Sequence, residues 1–576
     1  MAIQSESANT PSLHPPYRPA MAFPYLTEDM TARLHAYGRK ETFPAQTVLW
    51  SRGEREVDMF VVLNGAVNVY ARRDGDERTT VATLEENQFS GELDLLSSRR
   101  TLVEGCTAAE SLLLRITRAD LHRMMRAEGD IANLIMQATI WRRLGIVEAG
   151  AAGITLIGYN SCADTNQLQR FLIRNTYPHR IVEPDSEQCM GPVTSSLGKF
   201  LLPAVVLIDG RILHRPSIAE LADQLGLDEV LDPDTIQDLA IVGAGPSGLA
   251  AAVYAASEGL STVVIEGVAP GGQAGTSSRI ENYLGFPTGV TGQGLANRAL
   301  SQAQKFGARF LVSRNVTSIH QISGIHHLKL ASGAVIRSRA VVIATGAAYR
   351  KLSVDNYQRF EGQGIQYAAT PMEAAMCGDQ EVAVVGGGNS AGQAAVFLAG
   401  IAKHVHLVIR RGSLASTMSN YLIGRVETSR RITVHPYTEI DRLEGENSLR
   451  AVTFSNRRTG ESMTRAIENL FVMIGAEPNT GWLFGTLALD KKGFIVTGHE
   501  AGLEGSRYAT NIPGIFAVGD VRSRSVKRIA SAVGEGSVVV ADIHRYLATQ
   551  RRLVAASDAG ISESPATTAL AVGADY

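Results

Sequence analysis

Hydrophobic positions change their period from one part of the chain to the next. Between residues 22 and 145 they come in short runs. Met59-Phe60-Val61-Val62-Leu63 and Ala66-Val67-Asn68-Val69-Tyr70 flank Asn64-Gly65, which predicts a β-hairpin, and Asp74-Gly75-Asp76 marks a second turn. From Arg118 to Arg143 the spacing becomes helical. Short strands followed by a C-terminal helix predict a small β-roll. Residues 151–230 alternate differently. The pattern predicts a strand at Ile154–Ile157, a helix at Asp164–Asn175 and a strand at His179–Val182. Next come strand Ala204–Ile208, a turn at Asp209-Gly210, strand Arg211–Leu213 and a helix from Ser217. Asp232-Pro233-Asp234 reads as a linker. From 235 to 550 short apolar strands alternate with Ala-rich helical stretches, which predicts α/β architecture with a weak internal repeat. Residues 1–20 carry Pro11, Pro15, Pro16 and Pro19 with few large apolar side chains. The tail 554–576 is rich in Ala, Ser and Thr. Both are predicted disordered.

Two glycine-rich turns stand out in the α/β half. Gly243-Ala244-Gly245-Pro246-Ser247-Gly248 follows the apolar run Leu239–Val242, and Gly386-Gly387-Gly388-Asn389-Ser390-Ala391 follows Val382–Val385. A strand, a tight glycine turn and a helix N-terminus together cradle a diphosphate. The first glycine permits the turn, the second clears space for the phosphates, and the third lets the helix pack on the strand. The run Thr262–Ile265 ends in Glu266, placed to accept a hydrogen bond from a ribose hydroxyl. After the second turn, His404–Ile409 ends in Arg410-Arg411 instead. An acid there would repel a 2′-phosphate, whereas two guanidiniums would hold it, so this turn points to NADP rather than NAD. The plainer alternatives are an ordinary βα turn for the first and a solvated basic loop for the arginine pair.

Composition narrows the class. The 576 residues leave room for about three or four domains. At 45% hydrophobic and 19% charged residues, with a net charge of −2, there is no electrostatic case for nucleic acid. No apolar run approaches the ~18 residues of a membrane span, and Met1–Thr10 lacks the features of a signal peptide. Cys106, Cys162, Cys189 and Cys377 are too scattered for a disulfide framework, and the histidines show no metal-ligand spacing. A cytoplasmic protein is expected.

The segment 235–550 resembles the low-molecular-weight thioredoxin reductases. The carriers are Pro270-Gly271-Gly272-Gln273, Ile280-Glu281-Asn282-Tyr283, Ala344-Thr345-Gly346, Phe471–Thr480 with Ile474-Gly475 and Pro478-Asn479, and Gly514-Ile515-Phe516-Ala517-Val518-Gly519-Asp520. The resemblance implies two doubly wound domains, one for FAD (235–350 and 476–550) and one for NADPH (351–475) inserted into it. It assigns FAD to Gly243, Gly245, Pro246, Ser247, Gly248, Glu266, Gly272, Gln273, Asn282, Gly346, Gly519, Asp520, Lys527, Arg528 and Ile529. It assigns NADP to Gly386, Gly388, Asn389, Ser390, Ala391, Arg410 and Arg411, and implies a homodimer. Two departures matter. The family's redox Cys-x-x-Cys-Asp is replaced by Ala368-Ala369-Thr370-Pro371-Met372, so no dithiol exchange can occur there. The acid found after the nucleotide turn in many relatives is Gln393. Cys377 does not match the family spacing and reads as a small buried hydrophobe. Arg528 replaces a glutamine at the flavin's pyrimidine edge, where a cation would stabilise negative charge on the reduced ring unless it points to solvent.

The front of the chain carries two further resemblances. Phe89–Leu96 followed by Arg100-Thr101 resembles the phosphate-binding cassette of cyclic nucleotide-binding domains (22–145). Glu92 would take the ribose hydroxyl; Gly91, Leu93, Arg100 and Thr101 would surround the cyclic phosphate of cAMP or cGMP. The alternative is a degenerate cassette used for docking. Residues 151–230 resemble glutaredoxin and thioredoxin folds. Tyr159–Thr165 keeps the first cysteine of the family motif, Cys162, with Thr165 at the second position, and Leu202-Pro203-Ala204 is similar to the facing cis-proline segment. A cysteine at a helix N-terminus should be nucleophilic, which leaves Cys162 as a one-thiol relay or, alternatively, a packing residue of an inactive adaptor. A Cys162–Cys189 bridge is a further option.

The chain is thus expected to be multidomain: a β-roll cyclic nucleotide-binding-like domain, a thioredoxin-like α/β domain, then two Rossmann-like domains for FAD and NADPH. The expected function is hydride transfer from NADPH to FAD and on to a small-molecule or protein acceptor, with cyclic nucleotide as candidate effector. The alternative is a redox-sensing flavoprotein with a regulatory binding role and little turnover.

Overall fold

The computed structural model describes residues 19–558 except 73–77, 92–94, 96–98, 150–152, 160–161, 176, 185–200, 230, 233, 277–279, 281–282, 362, 368, 370–372, 375–376, 447 and 504. Among the described residues no helix is long and apolar enough to cross a membrane.

The first domain folds as two antiparallel sheets, one of three strands and one of four. The Asn64-Gly65 turn does not close a hairpin. Met59–Asn64 pairs with Ser111–Ile116, whereas Val67–Arg72 pairs with Arg78–Leu84 and Glu104–Thr107 in the other sheet. The turn is a corner between sheets, built on Gly65 at φ +91°, where a Cβ would come within 2.3 Å of Ser111 Oγ. Met59–Asn64 is buried on both faces because Val61 feeds one apolar core and Val62 another. The predicted helical stretch is two helices, Arg118–Ala127 and Gly129–Ala149, broken where Glu128 leaves helical geometry (φ −108°, ψ 80°).

The second domain is a four-stranded sheet in the order Ile212–His214, Ala204–Val206, Ile154–Ile157, His179–Val182. Its last pair is parallel and the others antiparallel. Helix Ala163–Arg174 makes the crossover that a parallel pair requires. Helix Ile218–Leu225 starts where Ser217 accepts the N–H of Glu220 at 3.1 Å. The Leu202-Pro203 peptide is cis.

Among the described residues the third region holds a mixed sheet of seven strands, an all-parallel sheet of five and a smaller antiparallel sheet of three. In the first, Arg309–Val312, Thr262–Glu266, Ile236–Val242 and Val335–Ile343 run parallel, with Ile515–Ala517 beside the end of Val335–Ile343. In the second, Ile365–Gln366, Asn469–Val472, Glu381–Val385, His404–Val408 and Ile432–His435 form an all-parallel sheet of five. The ribbon Ala347–Tyr349 with Ala476–Pro478 carries the chain out to this second sheet and back.

Both segments expected to be disordered overlap the fold. Pro19–Ala22 is helical with Ala22 buried, so residues 19 and 20 belong to the fold. The final helix is Ile529–Asp558, so the tail predicted from 554 starts inside it. Alanine and arginine, both strong helix formers, carry it on. Residues 1–18 and 559–576 lie outside the described residues. One apolar core runs through three parts of the molecule, joining Trp50 and Leu102 to Phe171, Leu225 and Leu227, and these to Leu239, Val264 and Phe310.

Candidate functional site

The first glycine turn has the geometry that a diphosphate needs. Gly243 sits at φ +105°, where a Cβ would lie 2.4 Å from Ala344 O. At Gly248 a Cβ would lie 1.9 Å from Gly243 O, so the Pro246–Ser257 helix packs against the turn only through glycine. At Gly245, in contrast, the nearest atom to a Cβ is Gly272 Cα at 4.0 Å. The space is open, in front of a helix N-terminus with Pro246 in its first turn. Glu266, buried at the end of its strand, accepts the N–H of Ala244 at 2.7 Å and of Val268 at 2.9 Å. It fixes the turn as well as presenting a carboxylate to it.

The other expected flavin contacts gather at this strand end. Gly271 N–H donates to Ala244 O at 2.7 Å, and Gln273 donates to Ala347 O. Gly346 (φ +67°) accepts from Asn479 N–H at 3.0 Å. Gly519 touches the first turn: a Cβ on it would lie 2.5 Å from Ser247 Oγ. Burial holds the Asp520 carboxyl above its ordinary range, with Lys527 pulling the other way and donating to Asp520 O at 2.8 Å. Arg528 is exposed, and Ile529 begins the last helix. Asn282 lies outside the described residues. Open space at Gly245, a carboxylate at the ribose position and amide donors at a helix end fit the adenosine diphosphate part of FAD.

The second turn repeats the plan. Gly386 lies at φ +141°, and a Cβ there would meet Met473 O at 2.4 Å. Gly388 caps helix Asn389–Leu398. Asn389 and Ser390 are exposed and Ala391 is buried. Asn389 Oδ1 accepts the N–H of Ser419 at 2.7 Å, and Thr417 Oγ1 donates to Gly387 O at 2.6 Å. Arg410 and Arg411 are both exposed beyond strand His404–Val408. Arg411 Nη1 donates to Ser416 Oγ at 3.1 Å, and Arg410 has no side-chain partner among the described residues.

Of the segment that replaces the dithiol, Ala369 is described and half-buried; Ala368, Thr370, Pro371 and Met372 lie outside the described residues. Cys377 is fully buried, its thiol pushed up to about 11 by burial, and it donates to Glu373 O at 3.2 Å. Cys162 is half-exposed at the N-cap of Ala163–Arg174. Hydrogen bonding from the Thr165 N–H, then from its hydroxyl, lowers the thiol's pKa. Cys189 lies outside the described residues.

The first domain encloses a cavity of about 310 Å³, within the size range of small-ligand sites. Gly91, Arg99, Thr101, Trp50 and Arg142 help line it. Arg100, the residue assigned to a phosphate, does not; its side chain lies near Gly226 of the second domain. Arg99 and Thr101, on either side of it, both line the cavity. Thr101 Oγ1 is spent on Ser51 O at 2.9 Å. Glu92 and Leu93 lie outside the described residues. Sequence reasoning also missed Arg142, whose guanidinium donates to Ala22 O, Gly91 O and Phe89 O at 2.7, 2.5 and 2.9 Å and so ties the C-terminal helix to the cassette. The available signal was the pair Arg142-Arg143 set between Ile140-Trp141 and Leu144.

Residues 237–536 match the family model for pyridine nucleotide-disulphide oxidoreductases, and residues 40–128 match that for cyclic nucleotide-binding domains. The chain is 33% identical to a thioredoxin reductase of Streptomyces clavuligerus over 54% of this chain and 94% of that one. It is 32% identical to a bifunctional thioredoxin reductase/thioredoxin of Mycobacterium leprae over 55% of this chain and 67% of that one. The solved thioredoxin reductase of Giardia duodenalis superimposes with a TM-score of 0.50 at 28% identity, covering 55% of this chain and all of that one. The chain therefore belongs to the pyridine nucleotide-disulphide oxidoreductase family, and is an FAD-dependent NAD(P)H oxidoreductase joined to a cyclic nucleotide-binding domain.

Proposed function

We propose that this chain oxidises NADPH through FAD and delivers the electrons to an acceptor other than a dithiol in the 368–371 segment, with a cyclic nucleotide as effector. The observation that carries this reading is the contrast between the two turns. One is followed by Glu266 and the other by exposed Arg410 and Arg411, so the two cradles differ where FAD and NADPH differ. When bound, FAD would supply the hydride acceptor and the electron store. The chain supplies position. Gly386–Ala391 and the arginine pair hold the reductant. Gly243–Gly248, Gly272, Gln273, Gly346 and Gly519-Asp520 hold the flavin nucleotide, and Lys527, Arg528 and Ile529 follow at its edge. The domains are 22–145, 151–230, 235–350 with 476–550, and 351–475.

The 151–230 unit is read as thioredoxin-like. A four-stranded sheet of mixed direction, a crossover helix entered through Cys162 and a proline directly before strand Ala204–Val206 support that reading. Exposed Tyr254 and Val538, on two helices that pack against each other in the FAD domain, support a homodimer. The loss of both family sulfurs favours a second reading, a flavoprotein that senses redox state and turns over little.

Stopped-flow mixing of the holoprotein with NADPH, with and without cAMP and cGMP, tests these readings. Rapid bleaching of the flavin band and repeated turnover with a quinone, oxygen or a disulfide protein support the enzyme. Negligible bleaching under every condition removes it and leaves the sensor.

A further inference from the structure

A half-buried cation lies beside the first glycine turn, and it comes from another domain. Arg174 ends the helix Ala163–Arg174 of the second domain. Its Nη2 donates to Ala269 O at 3.3 Å and Gly272 O at 3.0 Å, both in the loop that faces Gly245. Its main-chain carbonyl accepts from Gln293 Nε2 at 2.9 Å, on the FAD-domain helix Gly292–Lys305. Among the described residues Arg174 Nε is a buried atom without a hydrogen-bond partner. No carboxylate pairs with this guanidinium among the described residues. Glu266 is within electrostatic reach, but each of its oxygens already accepts a backbone N–H. Burial depresses the pKa of Arg174. A cation partly withdrawn from water and left without a counter-charge is costly, and it is usually retained where an anion completes it.

The anion this place is shaped for is a diphosphate. Gly272, whose carbonyl Arg174 holds, borders the open space at Gly245 and at the N-terminus of helix Pro246–Ser257. Residue 174 lies outside the 237–536 match, so the family pattern does not account for it. We propose that Arg174 is an FAD-binding residue: its guanidinium pairs with the diphosphate of FAD, so the second domain completes the cradle. The proposal rests on the reading of the Gly243–Gly248 turn as the FAD site. It makes docking of the second domain and binding of FAD one coupled event.

The test is direct titration of the full-length apoprotein, following flavin fluorescence for FAD and heat for ADP and adenosine. Wild type, Arg174→Gln and Arg174→Lys are compared. Loss of a charge-assisted pair should weaken FAD roughly ten- to a hundred-fold in Arg174→Gln. Arg174→Lys, which keeps the charge without the fork, should fall between. ADP should lose affinity as FAD does, adenosine should not, and the deficit should shrink as salt rises. Should Arg174→Gln not fold, Arg174→Lys must still lose more for ADP than for adenosine. Equal FAD affinity in wild type and Arg174→Gln overturns the proposal, as does an equal loss for ADP and adenosine, which marks a mere strut between domains. A wild-type apoprotein that binds no FAD overturns the reading of the turn itself.

Discussion

Replacing Glu229 by glutamine should remove one specific part of the protein's pH-dependent stability. Glu229 lies just past helix Ile218–Leu225, where all three parts of the molecule meet. Its N–H donates to Phe310 O at 3.2 Å. Asp228 before it accepts the N–H of Val312 at 2.5 Å, pairs with Arg314 at 2.6 Å, and offers its carbonyl to Arg55 of the first domain at 3.0 Å. Glu229 is only 7% exposed. Burial pushes its carboxyl up to about 7, against the opposing pull of Arg118, Arg309 and Arg99. The folded chain therefore binds this proton more tightly than the unfolded chain. The associated stability is fully present below the ordinary value of 4.5 and is lost as pH rises through about 7. At ~1.4 kcal/mol per pK unit, the effect is capped at roughly 3 kcal/mol. The assay is urea unfolding at pH 5, 6, 7 and 8, followed by tryptophan fluorescence, since Trp50 lies in the shared core. Every other titrating group is common to both proteins, so the difference between the curves reports this one. The gap between the curves should be smallest at pH 5 and shift in favour of Glu229→Gln up to about pH 7, with little further change to pH 8. Parallel curves, or a wild-type advantage that grows with pH, would refute the reasoning and show the three arginines holding a paired anion.

Other outcomes follow from the same geometry. Replacing Arg410 and Arg411 together by alanine should raise KM for NADPH by about ten-fold or more, as loss of charged hydrogen bonds does, with little change for NADH; equal losses would remove the 2′-phosphate assignment. Arg99→Ala should weaken cyclic nucleotide binding, measured by calorimetry, roughly ten-fold more than Arg100→Ala, because Arg99 lines the cavity and Arg100 does not. The reverse order would restore Arg100 as the phosphate ligand. Cys162→Ser should leave NADPH oxidation by a small artificial acceptor unchanged while abolishing any disulfide reduction by the chain; equal disulfide reduction by both proteins would exclude Cys162 as a redox thiol.

What the sequence made legible was local. Strands Ile154–Ile157 and His179–Val182 were readable because an apolar run bounded by turn residues has few other outcomes, and Ser217 announced its helix by capping chemistry. The glycine turns were readable because each glycine answers a contact a few residues away in sequence or one strand over. The misses depend on distant partners. Asn64-Gly65 has hairpin chemistry, yet Ser111 supplies the surface that turns it into a corner. Arg99 and Arg100 differ only in which way the chain turns each of them. Nothing in the neighbours of Arg174 shows that the end of its helix meets a loop about a hundred residues away. The setting of such a cation is a tertiary fact.

The position of Cys162 bears on where electrons can leave. The described sulfurs do not converge on the flavin loop: Cys377 is sealed in the NADPH-domain core and Cys106 is buried in the first domain. Cys162 and Arg174 mark opposite ends of one 12-residue helix, about 18 Å at 1.5 Å per residue, and the Arg174 end is the one against the loop. Bringing Cys162 to the flavin requires that helix to leave its seat. Phe171 and Leu172 lie in the core that runs on into the FAD domain, and exposing two such side chains costs about 3–6 kcal/mol. Such a state is roughly 10²- to 10⁴-fold rarer than the docked one. An intrachain relay would therefore be limited by undocking, and its rate would rise with mild denaturant, whereas transfer to a small acceptor at the flavin would not. This balance favours a small molecule over Cys162 as the primary acceptor, and it is why Cys162→Ser should spare NADPH oxidation.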